Sequence, residues 1–177
     1  FINKLNNNKR LAGIYLHIPY CRQACSYCDF HFSTNLKDKT TLVNSIIQEI
    51  ELRHNYLKNN RLESVYFGGG TPSLLSKLEF EAIFNALHKY FVFEPGIEIT
   101  IEANPDDISE ENLKAWKELE INRLSIGLQS FNDEELRWMN RAHTAKQSVN
   151  SVKMAQDRGF DNITIDLIYG SKFQDLD

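Results

Sequence analysis

The sequence predicts an α/β fold in which parallel strands curl into an incomplete barrel and helices pack on its outer face. Three observations predict it. Short runs rich in β-branched and aromatic residues alternate strictly with longer stretches of helical period, and that order calls for right-handed crossovers into a parallel sheet. The strands are apolar on one parity only, whereas an open sheet covered on both faces would read as continuous apolar runs. The chain of 177 residues is also too short for a closed eight-fold barrel, which needs about 250 residues.

The elements follow in order. The first strand candidate is Leu11–His17, where Ile14 and Leu16 oppose Tyr15 and His17. Leu42, Val43, Ile46, Ile47, Ile50 and Leu57 then recur at helical spacing, the mark of one buried stripe. The second strand is Ser64–Gly68. Ser76 and Glu79 form a capping box, in which a hydroxyl and a carboxylate satisfy free backbone donors at a helix start, and Phe80, Ile83, Phe84, Leu87 and Phe91 continue that helix. In the third strand, Ile97–Ala103, Ile97, Ile99 and Ile101 oppose Glu98, Thr100 and Glu102. Leu113, Trp116 and Leu119 make the next helical stripe, with Trp116 read as core. The fourth strand, Arg123–Leu128, sets Leu124, Ile126 and Leu128 against Arg123, Ser125, Gly127 and Gln129. Thr144 and Gln147 form a second capping box. The fifth, Asn162–Ile168, sets Ile163, Ile165 and Leu167 against Thr164 and Asp166. One sheet face therefore packs on helices, and the other faces water, a ligand or a lumen. With no repeat, linker or low-complexity segment, residues 1–177 read as one domain.

Composition narrows the function classes. With 42% hydrophobic and 25% charged residues and a net charge of −4, the chain reads as a globular domain without the basic footprint of a nucleic-acid binder. No apolar run approaches the roughly eighteen residues of a membrane span, and FINKLNNNKR lacks the apolar stretch of a signal peptide. A cytoplasmic location is expected. The chain opens at Phe1 rather than Met, which leads us to expect a piece of a longer protein.

The chemistry concentrates in HIPYCRQACSYCDF, residues 17–30, which holds all 3 cysteines. An odd, crowded set cannot form a disulfide framework, so Cys21, Cys25 and Cys28 are read as reduced thiols. A structural zinc needs four closed ligands, and the sequence has no second Cys or Cys/His pair to complete them. Ordinary iron–sulfur clusters also take four cysteines. Three thiolates on a four-iron cluster leave one iron open to a small molecule. Three core cysteines are the bland alternative, which Arg22, Gln23 and Ser26 between them argue against.

Following YLHIPYC, this CxxxCxxC spacing with Tyr27 before the third cysteine resembles the radical S-adenosylmethionine superfamily. In that family the open iron of a 4Fe-4S cluster chelates the amine and carboxylate of S-adenosylmethionine, and reductive cleavage yields a 5′-deoxyadenosyl radical. FGGGTP, IEANP, RLSIGLQSF, NRAH and DLIYG resemble, in order, the motifs of the oxygen-independent coproporphyrinogen III oxidase branch. The resemblance spans nearly the whole chain. It implies a partial (β/α)6 barrel, cut here after about five βα units, with Cys21, Cys25 and Cys28 as cluster ligands. It further implies that Tyr15 and Tyr27 flank S-adenosylmethionine, that Gly69, Gly70 and Thr71 approach its amino-acid portion, and that Glu102, Gln129, Arg141 and Asp166 contact its polar groups. Glu102, Gln129 and Asp166 also fall on the polar parity at the strand ends, where an unpartnered buried carboxylate would be costly; Arg141 rests on the resemblance alone.

Each position has a plainer reading. Gly68–Gly70 would serve as a tight turn, Glu102 as a lumen acid paired with a neighbouring arginine, and Asp106 and Asp107 as a strand end leading into a helix. His54 and His88 read as surface positions, His17 as a hydrogen-bonded barrel residue, and His31 as the histidine to watch.

Within the branch, oxidases carry a further cysteine two residues after the third. Here Asp29 and Phe30 follow Cys28, and CDFHFST is similar to the HemW-type heme chaperones. That resemblance implies heme or porphyrin as ligand, heme-recipient proteins and an electron donor as partners, and no nucleic acid. The alternative is an oxidase that decarboxylates coproporphyrinogen by radical chemistry. After DLIYG the chain departs from the family, running through Ser171, Lys172, Phe173 and Gln174 where a Gly/Pro-rich loop is usual. The resemblance therefore leads us to expect that the sixth strand and C-terminal domain are absent, and that an uncovered apolar edge promotes self-association.

Overall fold

The computed structural model describes residues 12–57 and 59–173. Five strands form one parallel sheet in the order β1 (Ala12–Ile18), β2 (Arg61–Gly69), β3 (Val92–Ala103), β4 (Arg123–Gln129) and β5 (Asn162–Leu167). Every strand lies beside its sequence neighbour, so right-handed crossovers all step the same way and carry the helices to one face. These are α1 (Lys39–Arg53), α2 (Lys77–Tyr90), α3 (Glu110–Glu118), α4 (Asp133–Trp138) and α5 (Ala145–Asp157). Both capping boxes form, on Ser76 and Thr144.

The apolar parity builds the core. Leu16, Ile18, Val65, Phe67, Ile99, Ile101, Leu124 and Ile126 are buried with Phe80, Ile83, Leu87, Leu113 and Trp116 from the helices. The Phe67 ring meets those of Phe80 and Phe84 at 5.2 and 5.5 Å. The opposite parity is left for the other sheet face, where it carries Tyr15, Tyr66, Thr100, Glu102, Arg123, Ser125 and Asp166.

Several boundaries differ from expectation for physical reasons. Leu11 and Gln174 lie outside the described residues. The first strand runs one residue further than expected, to Ile18. β3 begins at Val92 rather than Ile97 because Glu94, Pro95 and Gly96 do not end the strand. Arg61 and Leu62 pair with Val92 and Phe93 before the register shifts, Gly96 takes a φ of +78°, and Arg61 Nη2 donates to Glu94 Oε2 at 3.0 Å. β2 lengthens to Arg61–Gly69 by the same pairing. β4 gains Gln129, and β5 ends at Leu167 rather than Ile168. α1 stops at Arg53, so Leu57 packs beyond the helix. The short α4 shows too few turns for a period; its signal is Asn132, whose side chain caps Glu134 N at 2.8 Å. On β5 the apolar parity is not fully covered, since Ile165 is 40% and Leu167 50% exposed at the sheet edge.

Candidate functional site

All five strands point their C-terminal ends at one region, and the segments leaving them enclose a cavity of about 240 Å³. Cys21, Cys25 and Cys28, all half-buried free thiols, line it from the loop after β1. Gly69, Gly70 and Thr71 line it from the end of β2. Glu102 comes from β3, Gln129 from β4 and Asp166 from β5, while Tyr27 and Arg141 come from loops. Tyr15 is the one predicted site residue outside this lining. It pairs with Tyr66, which pairs with Thr100 two residues below Glu102. Its ring stacks on Tyr66 at 5.8 Å and its hydroxyl meets His17 Nδ1 at 3.1 Å.

The glycines allow this close approach. A Cβ on Gly70 would stand 2.7 Å from Tyr20 O, and one on Gly69, whose φ is +116°, would stand 2.7 Å from the His17 ring. At Gly68 it would meet Tyr15 Cε2 at 2.7 Å and Tyr66 Cε1 at 2.8 Å. The bare turn brings the Gly69 N–H onto Glu102 Oε2 at 2.9 Å, while Tyr66 donates to Glu102 Oε1 at 2.7 Å. Glu102 is thus held by a phenol and a backbone amide, not by the arginine that the plainer reading supposed.

Arg141 ties the loops together. Its Nη2 donates to Asn104 Oδ1 at 2.6 Å and Gly127 O at 2.8 Å, and its Nη1 reaches Cys25 Sγ at 3.4 Å and the Tyr27 hydroxyl at 3.3 Å. Its Nε is buried without a hydrogen-bond partner among the described residues. Asn104 donates in turn to Thr71 Oγ1 at 3.3 Å, and Thr71 donates to Cys21 Sγ at 3.5 Å. Burial pushes the Cys21 thiol up; the Thr71 hydroxyl and Arg141 pull the other way, and the neighbouring cysteines add to the rise. Burial likewise raises the Tyr27 phenol against the pull of Arg141. Tyr66 is pushed up to about 12, by burial first and then by its bond to Glu102.

Sequence reasoning missed two members. Asn104 joins Arg141 to Thr71, and its signal was its place directly after the third strand. Asp107 lies in the short turn Pro105–Asp107, but it is buried rather than a simple strand end. It accepts from Ser73 at 2.7 Å and from Arg22 at 2.9 Å. Of the histidines, His17 does make the expected hydrogen bond and His31 is exposed. His88 on α2 is exposed as expected and His54 just past α1 is partly buried, and each stacks on an aromatic ring, His54 on Tyr90 and His88 on Phe84. The fifth, His143, is buried and donates from Nε2 to Leu128 O at 3.0 Å.

Among the described residues, no three His, Cys, Asp or Glu side chains converge on a single metal ion. The three thiols instead share a cavity wall, which suits a cluster of several irons better than one zinc. Soft thiolates select such clusters, and the glycine cradle with its carboxylates and the orphaned Arg141 Nε suits a polar ligand beside it. Among the same residues no helix is long and apolar enough to cross a membrane.

Comparison with known proteins identifies the family. A family model described as the Radical SAM superfamily matches residues 15–177. The chain is 37% identical over 164 residues to the heme chaperone HemW of Lactococcus lactis, covering 92% of this chain and 42% of that protein. It is 36% identical to the bovine mitochondrial radical S-adenosyl methionine domain-containing protein 1, covering 93% and 38%. Among solved structures, Escherichia coli coproporphyrinogen III oxidase (HemN) superposes with a TM-score of 0.82 at 31% identity, covering 89% of this chain and 37% of that one. The chain thus spans about two-fifths of the length of these relatives.

Proposed function

The chain belongs to the radical SAM superfamily, and from that premise we propose that it is the cluster-bearing portion of a HemW-type heme chaperone. Cys21, Cys25 and Cys28 would hold a 4Fe-4S cluster. Tyr27, Gly69, Gly70, Thr71, Glu102, Gln129, Arg141 and Asp166 would hold S-adenosylmethionine, with Tyr15 behind them. When bound, a cluster with one iron free of protein ligands supplies both a chelating position and an electron. This chain's residues fix the thiols, present bare backbone through Gly69 and Gly70, and keep the Glu102 carboxylate turned toward the cavity. The longer protein would bind heme and deliver it to recipient proteins in the cytoplasm, drawing electrons from a donor.

The observation that carries this reading is the convergence of all three thiols on the cavity that also receives Glu102, Gln129, Asp166 and Arg141. Anaerobic reconstitution with iron and sulfide should give a reduced paramagnetic signal that changes on adding S-adenosylmethionine. A Cys25→Ala variant retaining the full signal would refute the ligand assignment.

The likeness to HemN favours a second reading, a coproporphyrinogen oxidase. Asp29 and Phe30 stand where that branch carries a further cysteine, which supports the chaperone. A full-length protein containing this segment should bind heme without decarboxylating coproporphyrinogen; vinyl product from that assay would reverse the choice.

A further inference from the structure

The cysteine loop is held along its length by one short stretch of chain far away in sequence. Gln23 Nε2 donates to Asn140 O. Asn140 Nδ2 donates to Ala24 O at 2.7 Å. Arg141 reaches Cys25 Sγ and the Tyr27 hydroxyl, while Ser26 donates from its backbone to Met139 O at 3.1 Å and from its hydroxyl to Trp138 O at 2.9 Å. Every residue from Gln23 to Tyr27 is therefore bonded to residues 138–141, the last residue of α4 and the three that follow it.

Asn140 is central to this rail because two demands meet there. Its backbone sits at a φ of +55°, in the left-handed region where only Gly and, less readily, Asn or Asp are at ease. That turn aims its carbonyl at Gln23, and its amide must donate to the Ala24 carbonyl. Glycine meets the first demand only. Aspartate meets the first but sets an acceptor against the carbonyl, and alanine meets neither.

We propose that Asn140 is a positioning residue that shapes the Cys21–Cys28 loop before cluster arrival, so that the three thiols face the cavity in the metal-free protein. This rests on the cluster assignment above, but part of its test does not. In metal-free protein, hydrogen exchange at the Ser26 and Cys28 amides, which donate to Met139 O and Cys25 O, should be slow in the unaltered chain and faster in Asn140→Gly by about five-fold, the effect of one lost hydrogen bond. Exchange in the core strands should be unchanged. In reconstituted protein, Asn140→Gly should lose iron to a chelator faster by a similar factor, with Asn140→Asp faster still and the paramagnetic signal broadened. Ser26→Ala, at an exposed side chain that the fold does not need, provides the second variant should Asn140→Gly melt early; it should speed exchange in the same segment. Loop exchange and iron release at the unaltered rates in both variants would overturn the proposal. If the unaltered chain binds no cluster, the cluster assignment fails, and the exchange result still decides the role of Asn140.

Discussion

Replacing Glu102 by glutamine separates its structural role from its proposed binding role. Both carboxylate oxygens are engaged, by the Tyr66 hydroxyl at 2.7 Å and the Gly69 N–H at 2.9 Å. Glutamine retains one acceptor. Placed on the Gly69 N–H, which can only donate, it turns its NH2 toward Tyr66, whose hydroxyl can rotate to accept. Both bonds survive in altered form, so Glu102→Gln should change stability by no more than about 1 kcal/mol in a urea titration. A ligand that donates to the carboxylate loses a charge-assisted bond worth about 1.5–3 kcal/mol, a weakening of about ten- to hundred-fold. Anaerobic dialysis of S-adenosylmethionine against reconstituted protein measures it. The variant also reports on itself. Burial and then Glu102 push the Tyr66 phenol up to about 12, so ultraviolet titration should find it lower in the variant. The sign follows from the raised value: Tyr66 contributes stability in full below the ordinary tyrosine pKa of about 10, and that contribution is lost as the pH rises through about 12. Unchanged ligand affinity together with a lowered Tyr66 titration would refute the reasoning, leaving Glu102 as a clamp on the β2 turn.

Four further outcomes are expected. Phe67→Ala, which empties a fully buried site between Phe80 and Phe84, should cost about 3–5 kcal/mol by urea unfolding; a loss under 1 kcal/mol would mean that the helices do not pack on this sheet face as described. Gly68→Ala puts a Cβ 3.0 Å from Glu102 Oε1 as well as against both tyrosine rings; it should weaken S-adenosylmethionine binding and shift the Tyr66 titration, and no change in either would contradict the close approach. Burial raises the Asp107 carboxyl against the opposing Ser73 hydroxyl and Arg22, with Asp106 adding to the rise. Its protonated form is favoured on folding, so its contribution is complete below the ordinary carboxylate range and is lost as the pH rises through the raised value; Asp107→Asn should flatten that dependence in urea midpoints taken from about pH 4 to 7. The half-covered Ile165 and Leu167 at the β5 edge should make the isolated chain self-associate, and Leu167→Lys should reduce the association seen by sedimentation.

Much of the architecture was legible because this sheet has two unlike faces. Ile99 and Ile101 are fully buried while Glu102 keeps access to the cavity, so the period-two pattern carries both the strand assignment and the side each residue faces. The pattern fails where its cause is missing. On β5 the same alternation of Ile163, Ile165 and Leu167 is present, but no described helix covers the edge. At Glu94–Gly96, proline and glycine read as a break, yet the pairing of Val92 and Phe93 with β2 outweighs that local preference.

The site divides along the same line. The three cysteines are neighbours in sequence, and Glu102, Gln129 and Asp166 lie at strand ends, where a parallel sheet gathers its loops; local spacing and parity suffice to find them. Arg141, Asn104, Asp107 and Asn140 act instead through contacts across 14 to 117 residues, which no periodicity encodes. These long-range groups carry out a separate task. The strand ends fix where a ligand can sit, but a loop of half-buried thiols has no ladder of its own, and its backbone carbonyls and amides must find partners elsewhere. In this chain the Ala24 carbonyl and the Ser26 amide find them on Asn140 and Met139, and the Arg22 side chain is held by Asp107, so the shape of the cysteine loop is set by the same fold that places Glu102.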